Sequence, residues 1–595
     1  MGKRPLYRLR RDGPGERFQF GQHRSHRVGV VYAGKLKPEC GIFSQTPAGS
    51  QTGSGVESRS MPVPSPARQT LLLFLLALTV LLPGIWEATG LTGKDEFFLG
   101  LRTPMEMIEG DHWLVPFLDG APRIRKPPLL YWTTRISYEI LGISLASARL
   151  VTVLFAALLV VATAGIARHL AGQAETGWIA GCILLGCLGM ASEARRLMLD
   201  VPVAALSTAA FWGLLVWLDS GKKRWLTATS VLLAAGFLTK GPIVALVCGG
   251  GCLALLASGR LRLAQLRQQF VPLAVHALLI AALAFPWFFV VRALYPEAAE
   301  LVLADELESR RFFNFSPGIL LGLLNIALPW VFVFVAAAWA TWKRPLPDRL
   351  LLFWFFATFL PFAFIKSFDR YLIGSLVPLA ILVALALPEM RSRWPFRLGL
   401  LLALLLGAGL AIFTFWFGLG GWYWPVVPAL YFVWAWWQQR SIGHTLAAPA
   451  LYWVALLWGL FPAVGVNAVP DSVRELGRTR DIAMFDGPQP ALLPILSQRT
   501  HRHYGSLDRH DLAELQALTA LVFLESKDAP RFQELVMQAG FRARQVGSYQ
   551  TLASHGSGLR FAKVGATLAD WQKAFAARDL AALMTTIIWF EIDES

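Results

Sequence analysis

The chain has 595 residues, 55% of them hydrophobic and 16% charged, with a formal net charge of +16. A soluble protein carries about 25% charge, whereas here the apolar residues gather into runs of roughly 17 to 25, long enough to cross a hydrocarbon core. A soluble multidomain protein is excluded, and so is nucleic acid as the reason for the positive charge. The bases stand between apolar runs, where they set orientation and meet lipid head groups.

Residues 1–68 are rich in Arg, Gly, Ser and Pro and lack apolar periodicity, which predicts a disordered basic tail. Met61 would serve as a start, leaving MPVPSPARQT before the first helix, so residues 1–60 are expected to be dispensable. Apolar runs follow at 69–87, 147–167, 175–193, 201–218, 224–239, 241–257, 271–292, 316–341, 349–366, 371–388, 396–418, 420–437 and 448–466. They predict an all-α polytopic membrane domain over 69–466 with about 13 transmembrane helices. Cys182, Cys187, Cys248 and Cys252 lie in these runs and Cys40 in the tail, without metal or disulfide spacing.

Basic residues set the orientation. With a cytoplasmic amino terminus, Lys222, Lys223, Arg224, Arg260, Arg262, Arg267, Lys343, Arg344 and Arg349 fall inside. The opposite loops are poorer in bases, and theirs stand next to acids. The loop 88–146 and residues 467–595 are therefore expected outside the cytoplasm.

Within that loop, Phe97, Leu101, Met105 and Ile108 recur at helical spacing, which predicts a short helix lying along the membrane interface. Pro127-Pro128 ends any helix before Lys126, and LLYWTTRISYEILG starts another. Asp95 and Glu96 open the loop. By position they are either a polar cap or a general base at the membrane face. Arg125 and Lys126 of RIRKPP either attract anionic lipid or grip a phosphate.

Further along, EARRLMLD carries Arg195, Arg196 and Asp200 at a span boundary, and Asp200 also suits the first turn of the next helix. Lys240 interrupts an apolar stretch, where it either snorkels or serves a site. LADELESRRF contributes Arg310 and Arg311, and KSFDRYL contributes Lys366, Arg370 and Tyr371. These either bind an anion or pair with Asp305, Glu306, Glu308 and Asp369. Together the acids and bases gather on one side of the membrane, which suggests a site handling a phosphate.

Residues 467–595 are more polar and predict a small extracytoplasmic α/β domain. TALVFLES reads as a buried strand, DAPRFQELVMQAGF as a helix and RARQVGSYQTLA as a second strand. ADWQKAFAARDLAALMTTIIWF (569–590) reads as an amphipathic helix lying on the membrane or a partner.

The order KDEFFLG, GDHWLVPFLDGAPRIRKPPLLYW, ARLVTVLFA, EARRLMLD, LTKGP, FPWFF, LPW and DRYLIGSLVPLAIL resembles the dolichyl-phosphate-mannose–protein mannosyltransferase type of membrane glycosyltransferase. It is most similar to the bacterial branch that includes the lipid A 4-amino-4-deoxy-L-arabinose transferases. The resemblance covers residues from about 70 to 390. It implies a GT-C fold, a polyprenyl-phosphate sugar donor and inverting transfer to a lipid, glycan or protein acceptor. It also implies a multi-pass protein of the bacterial inner membrane. Carried over by position, Asp95 is the catalytic carboxylate, Glu96 its neighbour and Asp200 the second acid. Lys126 contacts the donor phosphate, aided by Arg310 or Arg311 and by Tyr371. Tyr131, Arg196, Lys240, Lys366 and Arg370 are further candidate substrate contacts.

Two departures bear on cofactors. The arabinosyl transferases have Glu before the lysine and a Glu-His pair in a later loop, both associated with a divalent metal. Here Arg125 precedes Lys126, and Leu307 follows Glu306. The expectation is no metal and no cofactor, with Arg125 supplying positive charge. A transporter or lipid flippase is the alternative class. It would place ionisable residues near mid-membrane and show paired repeats, whereas here the charges stand at span ends.

Overall fold

A computed structural model describes residues 65–90, 96–309, 315, 317–365, 367–439, 441–487, 489–554 and 561–594. Asp95, Arg310, Arg311 and Lys366 lie outside this set. The protein is mostly helical, with a helical bundle followed by a small sheet.

Among the described residues, eight helical stretches are long and apolar enough to cross a membrane when Lys223–Ala257 is counted as one, or nine counting one bent pair, and Pro66–Leu81 and Ala174–Leu185 are shorter apolar helices. The expected count of about 13 is not reached on these criteria. The bent pair, Gly318–Ile326 and Val331–Trp342, turns through 106° within the predicted run 316–341. Pro329 stands in the break, where its missing N–H cannot continue a helical ladder.

The helices that carry the charged residues form one packed group. α4 (Leu145–Ala171) starts at a reciprocal cap, in which Ser144 and Ser147 each accept the other's backbone N–H at 3.1 Å. α7 (Asp200–Ser220) has Asp200 in its first turn and ends at Gly221, and α8 (Lys223–Lys240) returns along it. Gly241 takes φ 66°, a conformation that stops the helix without a Cβ penalty. α9 (Val244–Ala257) then folds back: Ser207 donates to the Val244 carbonyl, and Gly251 lies against the Phe211 ring. The apolar stretch 223–257 is thus a hairpin with Lys240 at its tip.

The loop after the first helix has three parts. A π-helical turn, Glu96–Arg102, continues into α2 (Thr103–Glu109). A short hairpin pairs β1 (Phe117–Leu118) with β2 (Ala121–Pro122). α3 (Leu129–Leu141) follows and closes at Gly142.

The carboxyl-terminal region forms a five-stranded sheet in the order Arg502–Tyr504, Ile482–Phe485, Leu521–Glu525, Thr585–Glu594 and Phe541–Thr551. β3 (Ile482–Phe485) runs parallel to β4 (Arg502–Tyr504) and to β5 (Leu521–Glu525). β7 (Thr585–Glu594) is antiparallel to β5 and to β6 (Phe541–Thr551). Alternation along β3 and β5 makes two cores. Ala483, Phe485, Val522 and Leu524 face the helices Arg509–Ala517 and Ala529–Gln538. Ile482, Met484, Leu521 and Phe523 face the other way, onto Phe97, Leu101 and Met105.

Two expectations change here. The apolar face of the 96–109 segment is not laid on lipid; it lies in a core shared by bundle residues such as Leu130, Ala148 and Leu197 and by the carboxyl-terminal domain, leaving Phe97 at 3% and Met105 at 0% exposure. The run 569–590 is also not one helix. It is helical over Leu568–Ala577 and passes Arg578 at φ 54°. From Thr585 it becomes β7, because Thr585-Thr586-Ile587-Ile588-Trp589-Phe590 is β-branched and aromatic and finds partners on both sides. The helical part packs on the bundle, with Phe575 5.2 Å from the Phe417 ring.

The domain contains a pH-sensitive contact. His501 is buried, and burial together with the charges of Arg102 and Arg499 pushes its imidazole down from 6.5 to about 3. Because the folded value lies below the ordinary one, the neutral ring adds stability above pH 6.5 that is lost as pH falls toward 3. Thermal melts of the purified protein are expected to drop over this window. His501→Gln, which cannot take the proton, should flatten the drop.

Candidate active site

Asp200 stands at the head of α7 with 5% exposure. One carboxylate oxygen accepts the Lys240 ammonium, and the other lies 3.3 Å from Arg370 Nε. α8 and its turn at Gly241 deliver Lys240, and the 3-10 turn Asp369–Ser375 delivers Arg370 and Tyr371. The Lys240 ammonium also sits 3.8 Å above the centre of the Tyr371 ring. A cation held between a carboxylate and a ring face is stabilised by both. Lys126 stands within electrostatic reach of Lys240, so the RIRKPP stretch approaches the same place.

The cluster continues toward the loop. Arg196 donates to Glu193 at 2.9 Å, and it feels the charges of Glu96 and Asp200 as well. Beyond it, Glu96 is fully buried and accepts Arg149 Nε and the Leu197 N–H, each at 3.0 Å. Arg149 also donates to the carbonyls of Ile85 at 3.1 Å and Glu87 at 2.8 Å. Glu96 is thus tied down on the residue next to Asp95. Cations outnumber carboxylates across the cluster of Glu96, Arg149, Glu193, Arg196, Asp200, Lys240, Arg370 and Lys126. Such a site favours an anionic ligand such as phosphate.

The sequence candidates fall into two groups. Asp200, Lys240, Arg370, Tyr371 and Lys126 come together, and Arg196 joins them to Glu96. Arg125 instead forms an ion pair with Asp305, roughly half exposed. Tyr131 is wholly buried, with its hydroxyl beside Arg123. Arg195 serves the fold, donating to the carbonyls of Pro83 at 2.8 Å and Val80 at 2.7 Å. Arg149 and Glu193 were not among the candidates. A lone arginine at a span start reads as snorkelling, and only its burial at 1% exposure reveals a partner.

Among the described residues, no group of three or more His, Cys, Asp or Glu side chains stands together in a way that could hold a metal ion.

Comparisons with known proteins bear on this arrangement. Residues 125–289, from the RIRKPP stretch to FPWFF, match the family described as dolichyl-phosphate-mannose-protein mannosyltransferase. An undecaprenyl phosphate-alpha-4-amino-4-deoxy-L-arabinose arabinosyl transferase of Pectobacterium carotovorum is 28% identical over 425 residues, covering 67% of this chain and 71% of that protein. Its namesake in Pseudomonas aeruginosa is 28% identical over 379 residues, covering 58% of this chain and 64% of that protein. The crystal structure of ArnT from Cupriavidus metallidurans superposes with a TM-score of 0.62 at 17% identity, covering 88% of this chain and 98% of that one. The same protein solved with undecaprenyl phosphate bound superposes equally well.

The chain shares the fold of the ArnT structures. In sequence it resembles membrane glycosyltransferases named for arabinosyl and mannosyl transfer. The resemblance read from KDEFFLG to DRYLIGSLVPLAIL thus holds. The segment that matches the family carries Lys126, Arg196, Asp200 and Lys240 together.

Proposed function

We propose that the enzyme takes a sugar from a polyprenyl-phosphate donor and transfers it, with inversion, to a lipid, glycan or protein hydroxyl outside the cytoplasm. The observation that carries this reading is the Asp200–Lys240–Arg370–Tyr371 cluster at the ends of spans, with Lys126 in reach. A lipid-linked phosphate arrives at that depth, and a site rich in cations stabilises it as it leaves. The relatives' names, and the undecaprenyl phosphate in the Cupriavidus structure, support the same donor class.

In the proposed reaction Asp95 takes the proton of the acceptor hydroxyl. The acceptor oxygen attacks the anomeric carbon from the face opposite the phosphate. The bond from that carbon to the phosphate oxygen breaks, and its electron pair leaves on polyprenyl phosphate. Lys126, an arginine of the 310–311 pair and Tyr371 hold that phosphate. Glu96 supports Asp95, and Asp200 holds Lys240 and Arg370 in place. Lys366 is a further proposed substrate contact, whereas the buried Tyr131 is not one. No metal takes part, and stoichiometric zinc in the purified protein would contradict that point. The enzyme sits in the bacterial inner membrane with its amino terminus cytoplasmic and its carboxyl-terminal domain periplasmic.

The test is lipid analysis of cells lacking the gene. Accumulated polyprenyl-phosphate sugar beside an unmodified glycan, lipid or protein is expected. Unchanged glycans and lipids, with altered distribution of a lipid across the membrane, would favour a flippase.

A further inference from the structure

The segment that begins at Glu96 is gripped at its other end by the carboxyl-terminal domain. Arg102 closes the π-helical turn with 5% exposure. Its guanidinium donates to the Asp119 carboxylate and to the His501 carbonyl, and its Nε lies 3.0 Å from Glu106. Asp119 also accepts the His503 N–H at 3.1 Å. One turn further along α2, Glu109 accepts the Thr500 N–H at 3.1 Å and its hydroxyl. A cleft of about 810 Å³ lies alongside. Arg102, Arg499 and Arg502 along it are held by Asp119, Asp481 and Glu514.

Three pieces meet at Arg102. The first is the helical segment whose start carries Glu96 and adjoins Asp95. The second is the turn between β1 and β2, whose second strand runs on into Arg125-Lys126. The third is edge strand β4 of the carboxyl-terminal domain, entered through His501. A planar guanidinium with two acceptors fixes the angle between them as a lysine could not. We propose that Arg102 is a positioning residue: with the domain's 500–503 edge, it sets the spacing between the carboxylate segment and Lys126. The domain then acts on transfer by holding the loop to which both reacting partners bind. This rests on the reading of Asp95 and Lys126 as base and phosphate contact. Misplacement of reacting groups by about 1 Å costs on the order of a hundredfold in rate.

The test uses the full-length enzyme in liposomes with a polyprenyl-phosphate sugar donor. Binding is measured separately with undecaprenyl phosphate. Arg102→Gln and the near-isosteric Asp119→Asn are expected to lower kcat at least tenfold while the Kd for undecaprenyl phosphate stays within threefold. Arg102→Lys should recover part of the rate. Hydrogen exchange should quicken over 96–101 and 121–128 in both variants, with α4 unchanged. A kcat within twofold of wild type in Asp119→Asn, or unaltered exchange in both stretches, would overturn the proposal. If wild type itself transfers no sugar, the functional reading fails, and the exchange result alone still decides whether Arg102 holds the two stretches together.

Discussion

Asp200→Asn is expected to lower sugar transfer about a hundredfold or more while the protein still inserts into the membrane. The carboxylate balances Lys240 on one oxygen and Arg370 on the other. Asparagine keeps the shape and removes the charge. Breaking a buried pair costs about 3–5 kcal/mol because the remaining charge is uncompensated, and 3 kcal/mol at the transition state is about a hundredfold in rate. Lys240 and Arg370 would then repel each other, and Lys126 adds to that repulsion. The groups that should meet the phosphate would spread apart. Turnover assays in liposomes, beside binding of undecaprenyl phosphate, check this. An Asp200→Asn enzyme with wild-type kcat and KM would show that the cluster is only a helix cap.

Arg149→Met should have the largest effect on stability, about 3–5 kcal/mol. Methionine fills much of the same space but removes the ion-pair partner of the fully buried Glu96, which keeps the Leu197 N–H. It also releases the carbonyls of Ile85 and Glu87, which Arg149 holds at 3.1 and 2.8 Å. The double variant Arg149→Met/Glu96→Gln removes both charges. It is expected to recover a good part of the loss, since replacing a whole buried pair costs far less than breaking one. Melting temperatures of the single and double variants in detergent measure this coupling. Equal losses in all three would mean that Glu96 and Arg149 do not depend on each other. Activity lost in the double variant, once stability returns, would show that Glu96 does more than anchor its neighbour.

Much of the architecture is legible in the residues. Runs of apolar length mark the spans, and Gly241 after Lys240 marks a turn between two of them. The strand TALVFLES reads correctly because both faces of β5 are buried, so its apolar run is unbroken. The segment 569–590 misreads because its apolar positions fit a helical period, while β7 needs a partner strand to declare itself. The face of Phe97, Leu101 and Met105 misreads for a related reason. An apolar stripe specifies that something covers it, and only the folded chain decides between lipid and a core shared by the bundle and the carboxyl-terminal domain.

The candidate site divides in the same way. Asp200 and Lys240 stand 40 positions apart in the chain, and Arg370 is a further 130 away. Their charge at span ends marked each as a candidate, because an ionisable group there is costly unless it has a task or a partner. Which of them pair was not legible, since pairing depends on the α8–α9 hairpin and on where the turn at Asp369 docks. Arg149 and Arg102 look alike in sequence: single bases near apolar runs. Burial separates them from snorkelling residues, and burial is a property of what packs around a side chain. The sequence by itself determined the helical membrane class, the family likeness and the residue types of the site. Only the tertiary structure decided that Glu96 is an anchor, that Asp200 holds two cations, and that the carboxyl-terminal domain grips the loop through Arg102. Hydropathy and charge act residue by residue, whereas ion pairs and buried contacts exist only once distant stretches meet.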